Sequence, residues 1–273
     1  MVDVSIITVG TNEKELIRTC LNSINKSLTK YQIETIVVDN ASTDGTSDMV
    51  SSNFKNIVLL RNQKMIGYIQ NNNLAMKEAK GRYIMLINSD IELREDTVET
   101  MVEFMDRHPK AAVSTCRLNF DDGTLQLNCR RFPTPVTYFF RIPHFFRWLK
   151  FGKKFAMSKP ISRYLMLDYD HKETKEVDWI VSALFFIRKA AIEDIGMLDE
   201  GLLPPFYLED VDWCFRAHVK GWQVYYVPET SAVHYYRRSS VKKFNKLSLI
   251  HLLNTLIFLK KHCLSMALRK HRK

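Results

Sequence analysis

The feature that most constrains this chain is the alternation of short apolar strands and amphipathic helices in its first hundred residues. Val4–Val9 is an apolar, β-branched run suited to a strand buried on both faces. Thr35–Val38, Asn56–Leu60 and Tyr83–Ile87 repeat it. Between them, Glu13–Ile24 carries helical spacing at Leu16, Cys20, Leu21 and Ile24. Thr46–Phe54, Gln70–Ala79 and Asp96–Arg107 also read as helices. This order predicts an α/β fold: a mostly parallel central sheet, right-handed crossovers and flanking helices. Ligands of such sheets bind beyond the carboxyl ends of the strands, so the residues just after each strand carry the chemical information.

The second half is less regular. Asn119–Asp168 reads as loops and short helices, and Val177–Ile187 as a strand. Ala190–Ile195 and Asp210–Lys220 read as helices, and Gln223–Val227 as a strand. Lys246–Leu259 predicts a C-terminal helical extension. Its Leu249, Leu252, Leu253, Leu256 and Ile257 share one stripe, opposite Ser248, His251, Asn254 and Thr255.

Charge divides the chain in another way. The net charge is +10, yet Asp122–Asp168 and the stretch after Glu229 contain no acid between or beyond those residues. Without these two stretches the body holds 20 basic and 30 acidic residues. Acid-free basic stretches seek an anionic partner. An acidic body with no recognisable nucleic-acid module argues against nucleic acid. The first stretch sets Tyr138, Phe139, Phe140, Phe145, Phe146, Trp148 and Phe151 among Arg141, Arg147 and Lys150, a mixture suited to lipid headgroups. The apolar core of Lys246–Leu259 is shorter than the ~20 residues a bilayer span needs. Docking on a membrane surface is the preferred expectation. Packing on the catalytic body or on a second subunit, as in a homodimer, is the alternative. Five scattered cysteines without metal-ligand spacing, and a start without signal-peptide character, predict a cytoplasmic protein with reduced thiols, peripheral to the inner membrane face.

Four strand or helix ends carry candidate chemistry. Asp39 closes the second strand and opens the run Asn40-Ala41-Ser42-Thr43-Asp44-Gly45-Thr46. A charge ending a buried strand needs a partner, which a base or ribose could supply. The hydroxyl residues behind it serve equally as turn and helix-cap residues. Asn88-Ser89-Asp90 follows the fourth strand, where a carboxylate suits Mg²⁺ or Mn²⁺ neutralising a diphosphate. Glu209, Asp210 and Asp212 open a helix. The helix dipole accounts for their charge, but the apolar approach through Phe206–Leu208 marks them for general-base work. His234 ends a later strand and reads either as a structural histidine or as a metal ligand.

The ordered series Val4–Asn12, Val37–Thr46, Asn62–Asn73, Leu86–Asp90, Val177–Ala183, Leu198–Arg216 and His234 resembles the inverting GT-A glycosyltransferases of family 2. The closest likeness is to the rhamnosyltransferase-like branch that builds bacterial surface polysaccharides. The resemblance implies a GT-A fold with a nucleotide-sugar half at 1–118, an acceptor-binding and catalytic half at 119–240, and a basic helical tail at 241–273. It implies donor contacts at Thr8, Asp39, Asn62, Gly67, Asn73, Asn88 and Asp90, and acceptor contacts at Trp179, Ser182 and Asp212. Asp210 matches the catalytic base with Glu209 beside it, and Asp90 and His234 match ligands of a divalent cation, Mg²⁺ or Mn²⁺. The implied substrates are a nucleoside-diphosphate sugar, such as dTDP-rhamnose or a UDP-hexose, and a hydroxyl of a glycan or lipid-linked acceptor. The chain departs from the family at Thr11, where an aromatic residue is common, at Asn88-Ser89-Asp90, which holds one acid, and at Ser182, where Gly is usual. One base and no visible second nucleophile predict inversion. A nucleotidyltransferase would want a Gly-rich phosphate loop where Val9-Gly10-Thr11-Asn12 stands. An inactive scaffold would have little reason to keep all these acids.

Overall fold

The computed structural model of the chain describes residues 1–133, 159–203, 208–235, 250 and 253–262. The first half follows the predicted alternation: β1 (Val4–Gly10), α1 (Lys14–Asn25), β2 (Ile33–Asp39), α2 (Thr46–Asn53), β3 (Ile57–Arg61), α3 (Tyr68–Glu78) and β4 (Tyr83–Asn88). Next come β5 (Ile91–Leu93), α4 (Thr97–Arg107), β6 (Ala111–Asn119), β7 (Leu125–Gln126) and β8 (Cys129–Arg130). The later elements are α5 (Lys159–Tyr164), β9 (Lys175–Glu176), β10 (Trp179–Ile180), β11 (Leu184–Arg188), α6 (Lys189–Ile195), α7 (Glu209–Val219) and β12 (Gln223–His234). Residues 253–262 form a further helix, α8.

The main sheet has the order β3-β2-β1-β4-β11-β6-β12-β5. β1 pairs in parallel with β2 and β4, and β2 with β3. β11 runs antiparallel to both β4 and β6, while β6 and β12 are parallel. The six longer strands β1, β2, β3, β4, β6 and β12 therefore point one way, with β11 reversed among them. The sheet is mostly parallel, with antiparallel pairs added at β11, β5, β7 and β9.

Because successive side chains alternate between faces, the apolar strands feed two cores. Ile6, Val37 and Met85 meet α1, α2 and α4 on one face. Ile7, Val38 and Leu86 meet α3, α6 and α7 on the other, where Phe258 of α8 joins them. The carboxyl ends of β1, β2, β4, β6 and β12 thus lie along one edge of a three-layer sandwich.

Three expectations change, and α8 takes an orientation that the sequence leaves open. The apolar pattern marks no strand at Ala111–Asn119, yet β6 lies inside the sheet, where pairing with β11 on one side and β12 on the other buries most of its residues. The strand expected at Val177–Ile187 is broken at residues 181–183 into β10, which pairs with β8 in a separate ribbon, and β11. The last strand is not five residues but twelve, reaching His234. In α8 the polar side faces the protein: Asn254, Thr255, Phe258 and His262 are buried, whereas Leu253 and Leu256 are 39% and 54% exposed. Among the described residues no helix is long and apolar enough to cross a membrane. The aromatic and basic run at Tyr138–Phe151 lies outside the described residues, as do Leu249 and Leu252.

Candidate active site

The side expected to hold the donor is built where β1, β2 and β3 end. Gly10 closes β1 against α1, and a Cβ there would stand 2.4 Å from Ile17 Cδ1. Asp39 is buried, and its oxygens accept from the Ser42 N–H at 3.0 Å and from the Ser47 hydroxyl. Next to it, Asn40 ties three loops together. Its Oδ1 accepts from the Ile66 N–H and from Asn62 Nδ2, both at 3.0 Å. Its Nδ2 donates to the Ile66 carbonyl at 3.2 Å and to Thr11 Oγ1 at 3.1 Å. Asn62 Nδ2 also donates to Asn71 Oδ1 at 2.6 Å. Buried amides need both donors and acceptors satisfied, and here each supplies the other. Thr11, standing where an aromatic ring is common, is part of this network.

Gly67 precedes α3 in extended conformation, and a Cβ on it would meet Gln70 Oε1 at 2.1 Å. One residue on, the Tyr68 hydroxyl donates toward Asn88 Oδ1 at 3.4 Å and the Ser182 carbonyl at 3.5 Å. Burial first, then the charges of Glu209 and Asp210, push this hydroxyl up, so it remains a protonated donor near neutral pH. Ser182 Oγ donates to Glu209 Oε1 at 3.0 Å. Tyr68 thus links the end of β4 to the acid pair that opens α7. The Asn88 N–H donates to the Ala183 carbonyl at 3.0 Å, holding the start of β11 against the same spot.

The acid pair is presented on a strained turn. Leu208, buried at the N-cap of α7, has φ 77° and ψ 3°. The left-handed region costs a bulky L-residue roughly 1–2 kcal/mol and persists only where packing enforces it. Its carbonyl accepts from the Asp212 N–H at 2.8 Å, which starts the helix.

At the far end of the edge, His234 Nε2 lies 3.1 Å from Asp90 Oδ1. His234 Nδ1 is 2.7 Å from Gln126 Oε1, a contact that fixes the ring with Nε2 toward Asp90. The Asp90 carbonyl accepts from the Tyr235 N–H at 2.9 Å, fixing β5 and its turn against the end of β12. Glu92 accepts from the Tyr235 hydroxyl.

The structure brings Asn88, Ser182, Glu209 and Asp210 around Tyr68, and Asp90 to His234. Four expected contacts sit elsewhere. Thr8 is fully buried inside β1, next to Cys20. Asn73 grips the Leu198 backbone and Glu200 rather than facing the strand ends. Trp179 is buried and donates from its indole N–H to the Arg131 carbonyl at 2.9 Å. Asp212 is 1% exposed, with its carboxylate held by Arg216, Lys261 and His262. Partners in the packed interior take up the polar groups of Asn73, Trp179 and Asp212, whereas the buried Thr8 hydroxyl oxygen has no hydrogen-bond partner among the described residues. Sequence reasoning missed Asn40, Asn71, Tyr68 and Gln126; the only signal was the asparagine beside Asp39 and the row Asn71-Asn72-Asn73.

Residues 5–195 match the model of glycosyl transferase family 2. The chain belongs to that family. Rhamnosyltransferase WbbL of Escherichia coli K12 is 23% identical over 201 residues, covering 71% of this chain and 70% of its own. The N-acetylglucosaminyl-diphospho-decaprenol L-rhamnosyltransferase of Mycobacterium tuberculosis is 22% identical over 249 residues, covering 85% and 76%. Among solved structures, the mannosyltransferase of Pyrobaculum calidifontis in complex with GDP-Man and Mn²⁺ superposes with a TM-score of 0.57 at 17% identity. It covers 87% of this chain, and the chain spans 58% of that structure's length. The fold of this glycosyltransferase is accordingly GT-A. The family match ends before α7, so the acid pair and His234 rest on the geometry above.

Proposed function

We propose that this glycosyltransferase moves a sugar, with rhamnose the first candidate, from a nucleoside diphosphate to a hydroxyl of a polyprenyl-diphosphate-linked glycan, inverting the anomeric centre. One observation carries the reading: Tyr68 and Ser182 join the acid pair Glu209–Asp210 to the end of β4, the strand that leads to Asp90. A group that accepts a proton is thereby held beside the place where a diphosphate would leave.

In this reading Asp210 takes the proton of the acceptor hydroxyl as the glycosidic bond forms. Glu209, anchored by Ser182, fixes the turn that presents Asp210. One base and one attack give inversion, because retention by double displacement needs a second carboxylate on the opposite face of the sugar. The Asn40–Asn62–Asn71 network shapes the donor side, with Asp39 at its rim.

Asp90 and His234 suit a hard divalent cation. One carboxylate and one imidazole, oriented through Gln126, leave the remaining positions to phosphate oxygens and water. When bound, Mg²⁺ or Mn²⁺ would neutralise charge on the departing diphosphate. The outward Leu253 and Leu256 of α8, followed by exposed Lys260, favour an anionic membrane surface as the place where the lipid-linked acceptor is met.

The decisive experiment uses Asp210→Asn with dTDP-rhamnose, Mn²⁺ and polyprenyl-diphosphate-linked N-acetylglucosamine. Turnover is expected to fall at least ~10²-fold while dTDP-rhamnose still raises the melting temperature. Turnover close to wild type would remove Asp210 from the role of base. An NMR anomeric coupling that shows retention would remove direct displacement.

A further inference from the structure

α8 touches the segment that carries the acid pair at three points. Near its start, Asn254 pairs with the Leu203 backbone in both directions: its Oδ1 accepts from the Leu203 N–H at 2.7 Å and its Nδ2 donates to the carbonyl at 3.0 Å. Two turns later, His262 Nε2 lies 2.7 Å from Asp212 Oδ1. Lys261 Nζ reaches Asp199 Oδ2 at 2.6 Å and Asp212 Oδ1 at 3.3 Å. Between the outer contacts, Phe258 packs edge-on against Phe215 of α7, with ring centroids 5.7 Å apart. The helix therefore holds Leu203 before Glu209 and Asp210 and Asp212 after them.

Asp212 is the inner anchor. Arg216 Nε holds Oδ2 at 2.7 Å, and the same guanidinium donates to the carbonyls of Ile195 and Met197. His262 and Lys261 share Oδ1. Burial opposes the charge, but His262, Arg216 and Lys261 outweigh it and bring the Asp212 carboxyl down to about 2. Asp212 is ionised in the folded protein, and its N–H donates to the carbonyl of the left-handed Leu208. A pull on Asp212 is thus transmitted through one hydrogen bond to the strained turn beneath the acid pair.

We propose that α8 is a splint for the catalytic turn, with His262 as a positioning residue that sets Asp210 through Asp212. The inference rests on Asp210 being the base. It differs from membrane docking, which uses the opposite, outward face of the same helix. The contacts of the splint at Asp199, Leu203, Asp212 and Phe215 all lie in the second half of the chain.

The test compares full-length wild type with His262→Leu, His262→Gln and Asp210→Asn. Leucine keeps bulk against Phe215 and Phe258 but removes the donor, and glutamine restores an N–H near the Nε2 position. Amide hydrogen exchange at residues 209–213 should quicken at least ~10-fold in His262→Leu, with β1–β4 unchanged, and return toward wild type in His262→Gln. With dTDP-rhamnose, Mn²⁺ and polyprenyl-diphosphate-linked N-acetylglucosamine, His262→Leu should lose at least ~10-fold in kcat with the donor KM held. Unchanged exchange at 209–213, or a kcat per donor-binding site equal to wild type, overturns the splint. Exchange that quickens across the whole chain in both His262 variants does the same, because it marks a general loss of folding. If Asp210→Asn abolishes turnover while His262→Leu leaves kcat intact, only the splint fails. If Asp210→Asn stays active, the assignment of the base fails and the splint falls with it.

Discussion

The donor and acceptor sides of the cleft are held in opposite ways. On the donor side, consecutive parallel strands β1, β2 and β3 end in neighbouring loops that bond to one another through Asn40, Asn62 and Asn71. Every partner lies within the first 71 residues. On the acceptor side, the acid pair sits on a strained leucine, behind a broken strand, and is gripped by a helix about fifty residues further along the chain. The contrast separates two needs. A diphosphate and base call for a fixed cradle, which local topology supplies. In the proposed reading, a base that must meet a variable acceptor sits on a segment whose geometry is imposed from outside.

Four measurements would break or sharpen this contrast. The largest effect should come from Asp90 and His234, the pair proposed to hold a cation. Asp90→Ala, or EDTA on the wild type, should reduce kcat/KM at least ~10²-fold through loss of leaving-group stabilisation. Full activity in EDTA would withdraw the metal from the pair Asp90–His234. Next is the donor-side network: Asn40→Ala strands partners on three loops and should cost about 2 kcal/mol, or ~5 °C in Tm. A Tm equal to wild type would show that the loops hold without it.

The third concerns acid. The folded Asp212 carboxyl lies at about 2, below its usual 3.8, so its contribution is complete above that unfolded value and is lost as pH falls toward 2. At neutral pH Asp212→Asn should be less stable by about 2 kcal/mol, and the gap should close between pH 4 and pH 2. A gap independent of pH would mean that packing, not charge, holds the acceptor side. The smallest change in stability belongs to the outward face of α8. Replacing Leu253 and Leu256 by Ser should leave the unfolding free energy within about 0.5 kcal/mol of wild type. The same variant should lose pelleting with anionic vesicles; undiminished pelleting would move the membrane contact elsewhere.

The same division decided what could be read from sequence. The β1–β4 alternation was legible because each strand is a continuous apolar run bounded by a helix of clear period. β6 was not, since Ala111-Ala112-Val113-Ser114-Thr115 mixes small and hydroxyl residues whose burial depends on β11 and β12. Asp90 and His234 were expected together and are 3.1 Å apart. Asp212 misled because its motif neighbours are acids near a cleft, while its partners are Arg216 and a helix remote in sequence. For α8 the sequence leaves two readings of the apolar stripe, outward toward a membrane or inward on the body. Such a stripe usually faces a core, but two hydrogen bonds between Asn254 and the Leu203 backbone, the His262–Asp212 contact and Phe258 turn Leu253 and Leu256 outward.

The reversed strand β11 has a bearing on how the chain comes to be folded at all. Its partners β4 and β6 are complete by residue 119, but neither can pair on its inner edge until Leu184–Arg188 arrives. During synthesis at about 5–20 residues per second, β4 would wait roughly 5–20 s with its backbone groups unpaired. An open, apolar edge of that kind invites pairing with another chain. Aggregation during expression should therefore respond to substitutions in β11 more than to equally destabilising ones in β3, at the outer edge of the sheet.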